Sequence, residues 1–304
     1  MTGGTDGTAP SDADLIRAYN LLKSPDDVDV SLLMTGSHSS IVVQHCIGQI
    51  AESRKDCLAF FSPTKANVVG ASSSSVATAN VTAYRDTVNK NSSYAVMDSG
   101  WKFMHDIHND KFRYVPLNGD IAGLCAQTDQ VRDPFFSPGG FTRGEIKNII
   151  KLPYNPKKAE RDALYQKQVN PVINTNGGFF LFGDKTQLTK PSAFDRINVR
   201  RLFILLEKAI ANAAKFQLFE FNDEFTRSQF VSMVEPFLRD IQGRGGIQDF
   251  AVVCDASNNT PQVVDSNQFR GDIFVKPSRA INFIQLNFVA VRSGVSFSEV
   301  VGAV

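Results

Sequence analysis

A chain of 304 residues with 42% hydrophobic and 21% charged side chains has enough apolar content for one large domain or two ordinary ones. Its formal net charge of +1 argues against a wholesale electrostatic grip on nucleic acid or membrane. The four cysteines (Cys46, Cys57, Cys125, Cys254) form no CxxC pair, which argues against a disulfide framework and for a reducing compartment. No apolar run approaches the roughly 20 residues of a spanning helix. The polar, Gly-rich start MTGGTDGTAPSDAD lacks the features of a secretory signal, so the expectation is a protein made and used in a cytoplasm or released by lysis.

In chain order, Ser11 and Asp12 open a predicted helix reaching residue 23, with Leu15, Ile16, Tyr19 and Leu22 on one face. A short strand follows at 28–33, then a helix over 37–52 bearing Ile41, Val42, His45, Ile47 and Ile50. The run Leu58-Ala59-Phe60-Phe61 is continuously apolar, as expected of a strand buried on both faces. A Ser-rich turn at 72–75 leads into a helix over 76–88, and 94–97 is the next strand. This alternation predicts parallel pairing with helices on both faces of the sheet. A further strand is expected at 112–115 and the start of a helix at 120–126. Loops with Pro134, Pro138, Gly139, Gly140 and Gly144 follow, then a helix over 156–168 with Pro156 in its first turn. Short strands at 172–173 and 179–182 flank a tight turn at Asn176-Gly177-Gly178.

From about Pro191 the pattern changes to two long helices and then strands at 250–254, 272–275 and 280–291, a separate α+β unit with its boundary near Lys190. The stretch 194–246 carries both helices. Val199, Leu202, Phe203, Leu206, Ile210 and Ala213 make one apolar face, and Phe230, Met233, Val234, Phe237 and Ile241 the other. Arg196, Arg200, Arg201, Arg227, Arg239 and Arg244 are expected to form a basic exposed side. Pro236 lies inside the second helix, where it removes one ladder bond and predicts a kink near 232–234.

Catalytic motifs are missing. No G-x-S-x-G elbow occurs, and the histidines His38, His45, His105 and His108 sit in no nucleophile setting. His105 and His108 beside Asp106 and Asp110 superficially suggest a metal, but the segment is polar and lacks HEXXH. Gly139-Gly140-Phe141-Thr142-Arg143-Gly144 has the glycine spacing of an anion cradle without the Lys-Ser/Thr ending of a P-loop, and Gly183-Asp184-Lys185-Thr186 is shorter still, so both read as turns. Acids such as Asp195, Glu207, Asp223, Glu224, Glu235 and Asp240 interleave with the arginines, a mixture better suited to a protein interface than to phosphates. At the C-terminus, 280–291 spans 12 residues, about 40 Å at roughly 3.3 Å per residue. Val295 and Phe297 then alternate with serines. Such a tail pairs either on its own domain, which the residues alone favour slightly, or on a neighbour's sheet edge.

The runs FDRINVRRLFILLEKAI, FEFNDEFTRSQF and VEPFLRDIQGRGGIQDFAVVCD resemble the C-terminal part of contractile phage tail sheath proteins, especially those of large contractile-tailed phages. In the first half the likeness rests on GGTDG at 3–7, NSSYA at 91–95, and the segment 115–144 with IAGLCAQTD and SPGGFTRGE. The resemblance implies a non-catalytic, subtilisin-like α/β domain over 1–190, a smaller α+β inner domain over 191–292, and a C-terminal arm over 293–304. It implies a structural subunit, not an enzyme, that polymerises around a tail tube and contracts to drive that tube through the host envelope. The arm would exchange strands with neighbours, with Val295, Phe297, Val300 and Val301 as its interface, reversing the preference above. The helix at 226–241 would touch the tube, with Arg227, Gln229, Arg239 and Arg244 as candidates. Implied partners are further copies of the chain, the tube, baseplate and tail terminator proteins, with no cofactor, metal, nucleic acid or membrane; the implied location is the virion tail, assembled in the host cytoplasm. The rival readings are the sheath of a phage-derived bacteriocin or injection device and, from another class, a subtilisin-like hydrolase. Family members carry an N-terminal arm and outer protruding domains before the GGTDG segment. The expectation is therefore a fragment or truncated chain that builds an extended sheath poorly by itself.

Overall fold

The computed structural model describes residues 7–175 and 177–281. Helix α1 (Asp12–Asn20) starts at a capping box in which Ser11 Oγ accepts from the Asp14 amide and Asp14 reaches back to the Ser11 amide. Strand β1 (Leu32–Met34) leads to α2 (Ser40–His45), which continues through a π-helical turn, Cys46–Ala51, into α3 (Glu52–Arg54). The π turn tucks Cys46, Ile47, Ile50 and Ala51 into the core. After β2 (Leu58–Phe61), α4 (Lys65–Val68) and α5 (Ser74–Val88) return the chain to β3 (Ala95–Asp98). A hairpin of β4 (Trp101–Asp106) and β5 (Lys111–Pro116) precedes α6 (Asn118–Val131), and α7 (Lys158–Gln166) feeds β6 (Val169–Asn170). A second hairpin, β7 (Val172–Thr175) and β8 (Gly178–Leu181), closes this half.

The central sheet has the order β1-β2-β3-β6, and each of its pairings is parallel. Its strands alternate between two cores, as period-two geometry requires. Ala59, Phe61, Ala95 and Met97 pack with Val42, Ile47, Val81 and Leu164 on one face. Leu58, Phe60 and Val96 pack with Ile121, Leu124 and Ile204 on the other. The expected parallel sheet covered on both faces is thus present. The strand expected at 112–115 instead belongs to the antiparallel β4–β5 hairpin, whose first strand the alternation did not reveal. The strands either side of residue 176 pair antiparallel, Thr175 opposite Gly178, while Asn176 of the expected turn lies outside the described residues.

The second half holds α8 (Ile197–Ala214), α9 (Glu224–Gly243), β9 (Ile247–Val253), α10 (Pro261–Asp265) and β10 (Asp272–Pro277). Asp223 caps α9 by accepting from the Thr226 amide at 2.8 Å, and the helix continues through Pro236. Strands β9 and β10 pair antiparallel; Phe250, Val252, Ile273 and Val275 face the same core as Leu202, Leu206, Phe230, Val234, Leu238 and Ile241. Helix α8 therefore serves two cores, with Ile197 and Ile204 against the central sheet and Leu202 and Leu206 against α9. The expected strand at 280–291 and the segment 293–304, with Val295, Phe297, Val300 and Val301, fall outside the described residues.

Candidate assembly surfaces

Among the described residues the most enclosed carboxylate is Asp98, at the C-terminal end of β3. Its Oδ2 accepts from Ser62 Oγ at 2.6 Å and its Oδ1 from the Gly100 amide at 2.8 Å. Ser62 Oγ in turn accepts from the Asn118 amide at 3.0 Å and from Asn118 Nδ2 at 3.1 Å. Burial pushes the Asp98 carboxyl up to about 8, with the Ser62 and Gly100 hydrogen bonds opposing the shift. This network ties β2, β3 and the start of α6 together. No histidine joins it: His45 Nε2 bonds Asn20 Oδ1 and His105 Nε2 bonds Asp110 Oδ1. Among the described residues no group of three or more His, Cys, Asp or Glu is placed to hold a metal, and no helix is long and apolar enough to cross a membrane. The glycine loop at 139–144 spends its amides on protein: Gly140 donates to Leu181 O at 2.9 Å and Gly144 to Gly140 O at 2.8 Å.

The arginines of α8 correct the expectation of an exposed basic side. Arg200 and Arg201 are buried, at 6% and 7% exposure. The Arg200 guanidinium lies 4.2 Å from the Tyr94 ring centroid and 4.0 Å from that of Phe194, and Nη2 donates to Ser93 Oγ at 2.7 Å. Arg201 Nη2 reaches both carboxylate oxygens of Asp129, at 2.6 and 2.5 Å, and Nη1 donates to Cys125 O at 3.3 Å. Arg196 joins Asp184 at 3.2 Å and the Tyr165 hydroxyl at 2.5 Å. The planar guanidinium suits such stacked and forked sites. These three side chains fasten α8 to the first half of the protein instead of facing a partner.

The four residues expected to face a tube differ in their freedom. Arg227 is half-buried and donates through Nη1 to Asn222 Oδ1 at 2.9 Å, bracing the turn before α9. Arg244 pairs with Asp133 and, at 2.8 Å, with Asp240. Gln229 is exposed, and Arg239 is exposed beside Glu235 at 3.5 Å, an i,i+4 pair. Gln229, Arg239 and Arg244 are thus exposed to solvent, Arg244 while held in two ion pairs, and Arg227 is half-buried.

Beside the solvent face of α9 is a feature the helical pattern did not predict. Phe216, Leu218, Phe219, Phe221 and Phe225 are 82%, 63%, 104%, 85% and 76% exposed, all within the α8–α9 connection and the first turn of α9. Phe219 adopts φ +72°, a left-handed conformation costly for a bulky side chain. Soluble monomers rarely present so concentrated an apolar patch unless it is used for contact. The sequence KFQLFEFNDEF contains the signal, since its aromatics fall out of the helical period that ends at Ala214.

The family described as phage tail sheath protein central domain matches residues 17–187, and phage tail sheath C-terminal domain matches residues 189–290. The chain is 45% identical to the tail sheath protein of Vibrio phage KVP40 and 42% identical to that of Enterobacteria phage T4, in each case over 99% of its length. It spans about half the length of these relatives, 47% and 48% respectively. Among solved structures, the contracted sheath complex of the extracellular contractile injection system PVC shares the fold, with a TM-score of 0.75 at 18% identity, covering 92% of this chain and 80% of that one. A chain of the anti-feeding prophage baseplate gives a TM-score of 0.73 at 17% identity, covering 94% and 75%. With one family match spanning more than half of its residues, the chain belongs to the phage tail sheath family.

Proposed function

We propose that this chain is a structural subunit of a contractile tail sheath, polymerising helically around a tail tube and contracting to drive the tube through the host envelope. The observation that carries the reading is the aromatic cluster at 216–225 beside the solvent face of α9. These side chains gain nothing in a monomer, whereas burying each Phe against a partner is worth about 1.5–3 kcal/mol. In this reading the cluster, with Gln229 and Arg239, faces the tube; Arg227 braces the turn before α9, and Arg244 lies exposed at the far end of that helix. The first half, 1–190, is a non-catalytic domain of subtilisin-like architecture, 191–292 the inner domain, and 293–304 an arm. The two-stranded β9–β10 sheet suits strand exchange, because among the described residues each strand has one unpaired edge. Val295, Phe297, Val300 and Val301 would join a neighbour's sheet there.

Contraction is then a downhill exchange between two packings of the same subunits, without nucleotide or cofactor. Partners are further copies of the chain, the tube, and the baseplate and terminator proteins at the two ends. The place of action is the virion tail, after assembly in the host cytoplasm. The phage relatives at 42–45% identity favour a phage tail over an injection device, for which the likeness extends to the fold at 17–18% identity. The test is co-sedimentation of the chain with its cognate tail tubes. Wild type should pellet with them, and a variant with Phe216, Phe219, Phe221 and Phe225 changed to Ser should remain soluble, folded and unbound. Equal pelleting of the variant would remove the aromatic cluster from the tube contact, and failure of wild type to pellet would overturn the sheath reading.

A further inference from the structure

A cleft of about 700 Å³ opens where the glycine loop, α7 and the start of α8 meet the chain leaving β10. Arg143, Lys158, Arg161 and Arg279 line it, and none of the four forms an ion pair with another described residue. Two of them are already positioned. Arg143 donates through Nε to Ser137 O at 2.9 Å and lies over Phe136, and Arg161 lies over Phe182 at 5.6 Å. Of the two acids in the lining, Asp184 is committed to Arg196 and Tyr165, which leaves Asp162 alone against four cations. Asn198, 4% exposed and also in the lining, has an Oδ1 with no hydrogen-bond partner, while its Nδ2 donates to Phe135 O. The cleft therefore asks for carboxylates together with a hydrogen-bond donor such as a backbone amide. That is the chemistry of an acidic peptide segment.

The chain presents such a segment in rigid form. Residues 24–29 read SPDDVD, with Asp26, Asp27, Val28 and Asp29 exposed. The buried Arg54 holds this loop from beneath, donating to the carbonyls of Leu22, Ser24 and Val28 at 2.7, 2.9 and 2.8 Å. Its orientation is fixed in turn by Asp56, through two bonds of 2.8 Å. Asp29 pairs with Lys208 of α8, whereas Asp26 and Asp27 form no ion pair with a described residue. Lys208 lies ten residues beyond Asn198 on α8, about 15 Å along the axis at 1.5 Å per residue. Loop and cleft thus sit towards opposite ends of that helix.

We propose that the acidic loop at 24–29 of one copy docks into the basic cleft of the next copy, placing Asp26 and Asp27 against Lys158, Arg161 and Arg143. Two different surfaces meet in this contact, so it joins copies head to tail, into a ring where the rotation between copies closes and into a helical polymer where it does not. The inference rests on the sheath reading and specifies one contact between its subunits.

The test is a charge exchange on the full chain, read by sedimentation velocity. Asp26→Lys with Asp27→Lys makes the loop basic, and Lys158→Glu with Arg161→Glu makes the cleft acidic. Asp26, Asp27 and Lys158 are exposed and Arg161 is half-buried, and thermal melts confirm that each variant is folded; the milder Asp26→Asn with Asp27→Asn serves if the reversal disturbs the fold. Each variant alone should self-associate at least tenfold more weakly than wild type. A 1:1 mixture should recover to within about twofold, because the basic loop of one now meets the acidic cleft of the other. Unchanged association of either variant, a mixture that stays dissociated, or a wild-type chain that is monomeric throughout overturns the proposal. Cleft reversal that instead exposes residues 282–304 to protease, with association intact, would assign the cleft to the chain's own C-terminus and also overturn it. A chain that pellets with tail tubes yet ignores both reversals loses this contact alone; one that neither pellets nor self-associates loses the sheath reading as well.

Discussion

Asp129→Ala should destabilise the protein more than Arg201→Met, although the two changes remove the same ion pair. The side chain of Arg201 is 7% exposed and that of Asp129 35% exposed. Without Asp129, the guanidinium keeps only the Cys125 carbonyl, at 3.3 Å, in a largely buried site. Leaving one member of a buried pair unpaired costs about 3–5 kcal/mol, and the Cys125 bond places this case at the lower end, about 3 kcal/mol. Arg201→Met replaces the stem with an apolar chain of similar length and leaves Asp129 partly in solvent, where water replaces most of the lost interaction. That change should cost about 1 kcal/mol. The double variant Arg201→Met with Asp129→Leu removes both charges and should be more stable than Asp129→Ala alone. Urea denaturation at pH 7, with the slope m unchanged across the set, measures all three. If Arg201→Met costs as much as Asp129→Ala, or the double variant shows no recovery, the argument from unequal burial is wrong.

Asp98 makes stability pH-dependent in a defined direction. Its folded pKa, about 8, lies above the ordinary 3.8, so its contribution is complete below pH 3.8 and is lost as pH rises towards 8. The slope in that window is up to about 1.4 kcal/mol per pH unit; Asp98→Asn should flatten the urea-derived stability curve, and superimposable curves would contradict this. Two glycines should respond oppositely to alanine. A Cβ at Gly144 would lie 2.7 Å from Gly140 O and 2.9 Å from Leu181 O, both backbone, so Gly144→Ala should cost about 1–3 kcal/mol. Gly123 lies within α6 with nothing within 4 Å of its added Cβ, so Gly123→Ala should stabilise by up to about 1 kcal/mol. A reversed order in denaturation midpoints would refute the packing around the glycine loop. Truncation after Arg292 should leave a folded chain that does not assemble, scored by circular dichroism and sedimentation; loss of folding would place 293–304 in the core.

The layered half of the fold was legible where burial is continuous. The run Leu58-Ala59-Phe60-Phe61 reads as a doubly covered strand, and it is one because both faces of the sheet are clothed by helices. Strand β4 was missed because its sequence WKFMHD mixes charge into a half-exposed hairpin, whose alternation shows only against its partner. The burial of Arg200 and Arg201 was illegible for a different reason. Their partners, Tyr94 and Asp129, lie 106 and 72 residues away, and periodicity treats a charge as exposed until its counterpart is known. The reverse holds at 216–225, where aromatic composition suggests burial and the structure leaves the side chains in solvent. In the resemblance to sheath proteins the family was readable from long matched runs. Which arginines face outward was not, because that depends on tertiary partners.

The central claim is that these surfaces assemble the chain around a tube, and cryo-electron microscopy of the chain incubated with its cognate tail tubes tests it most directly. The account predicts helically ordered decoration, with density from the solvent face of α9 and the loop at 216–225 against the tube wall. Bare tubes beside dispersed chains, or decoration with that face turned outward, would contradict it.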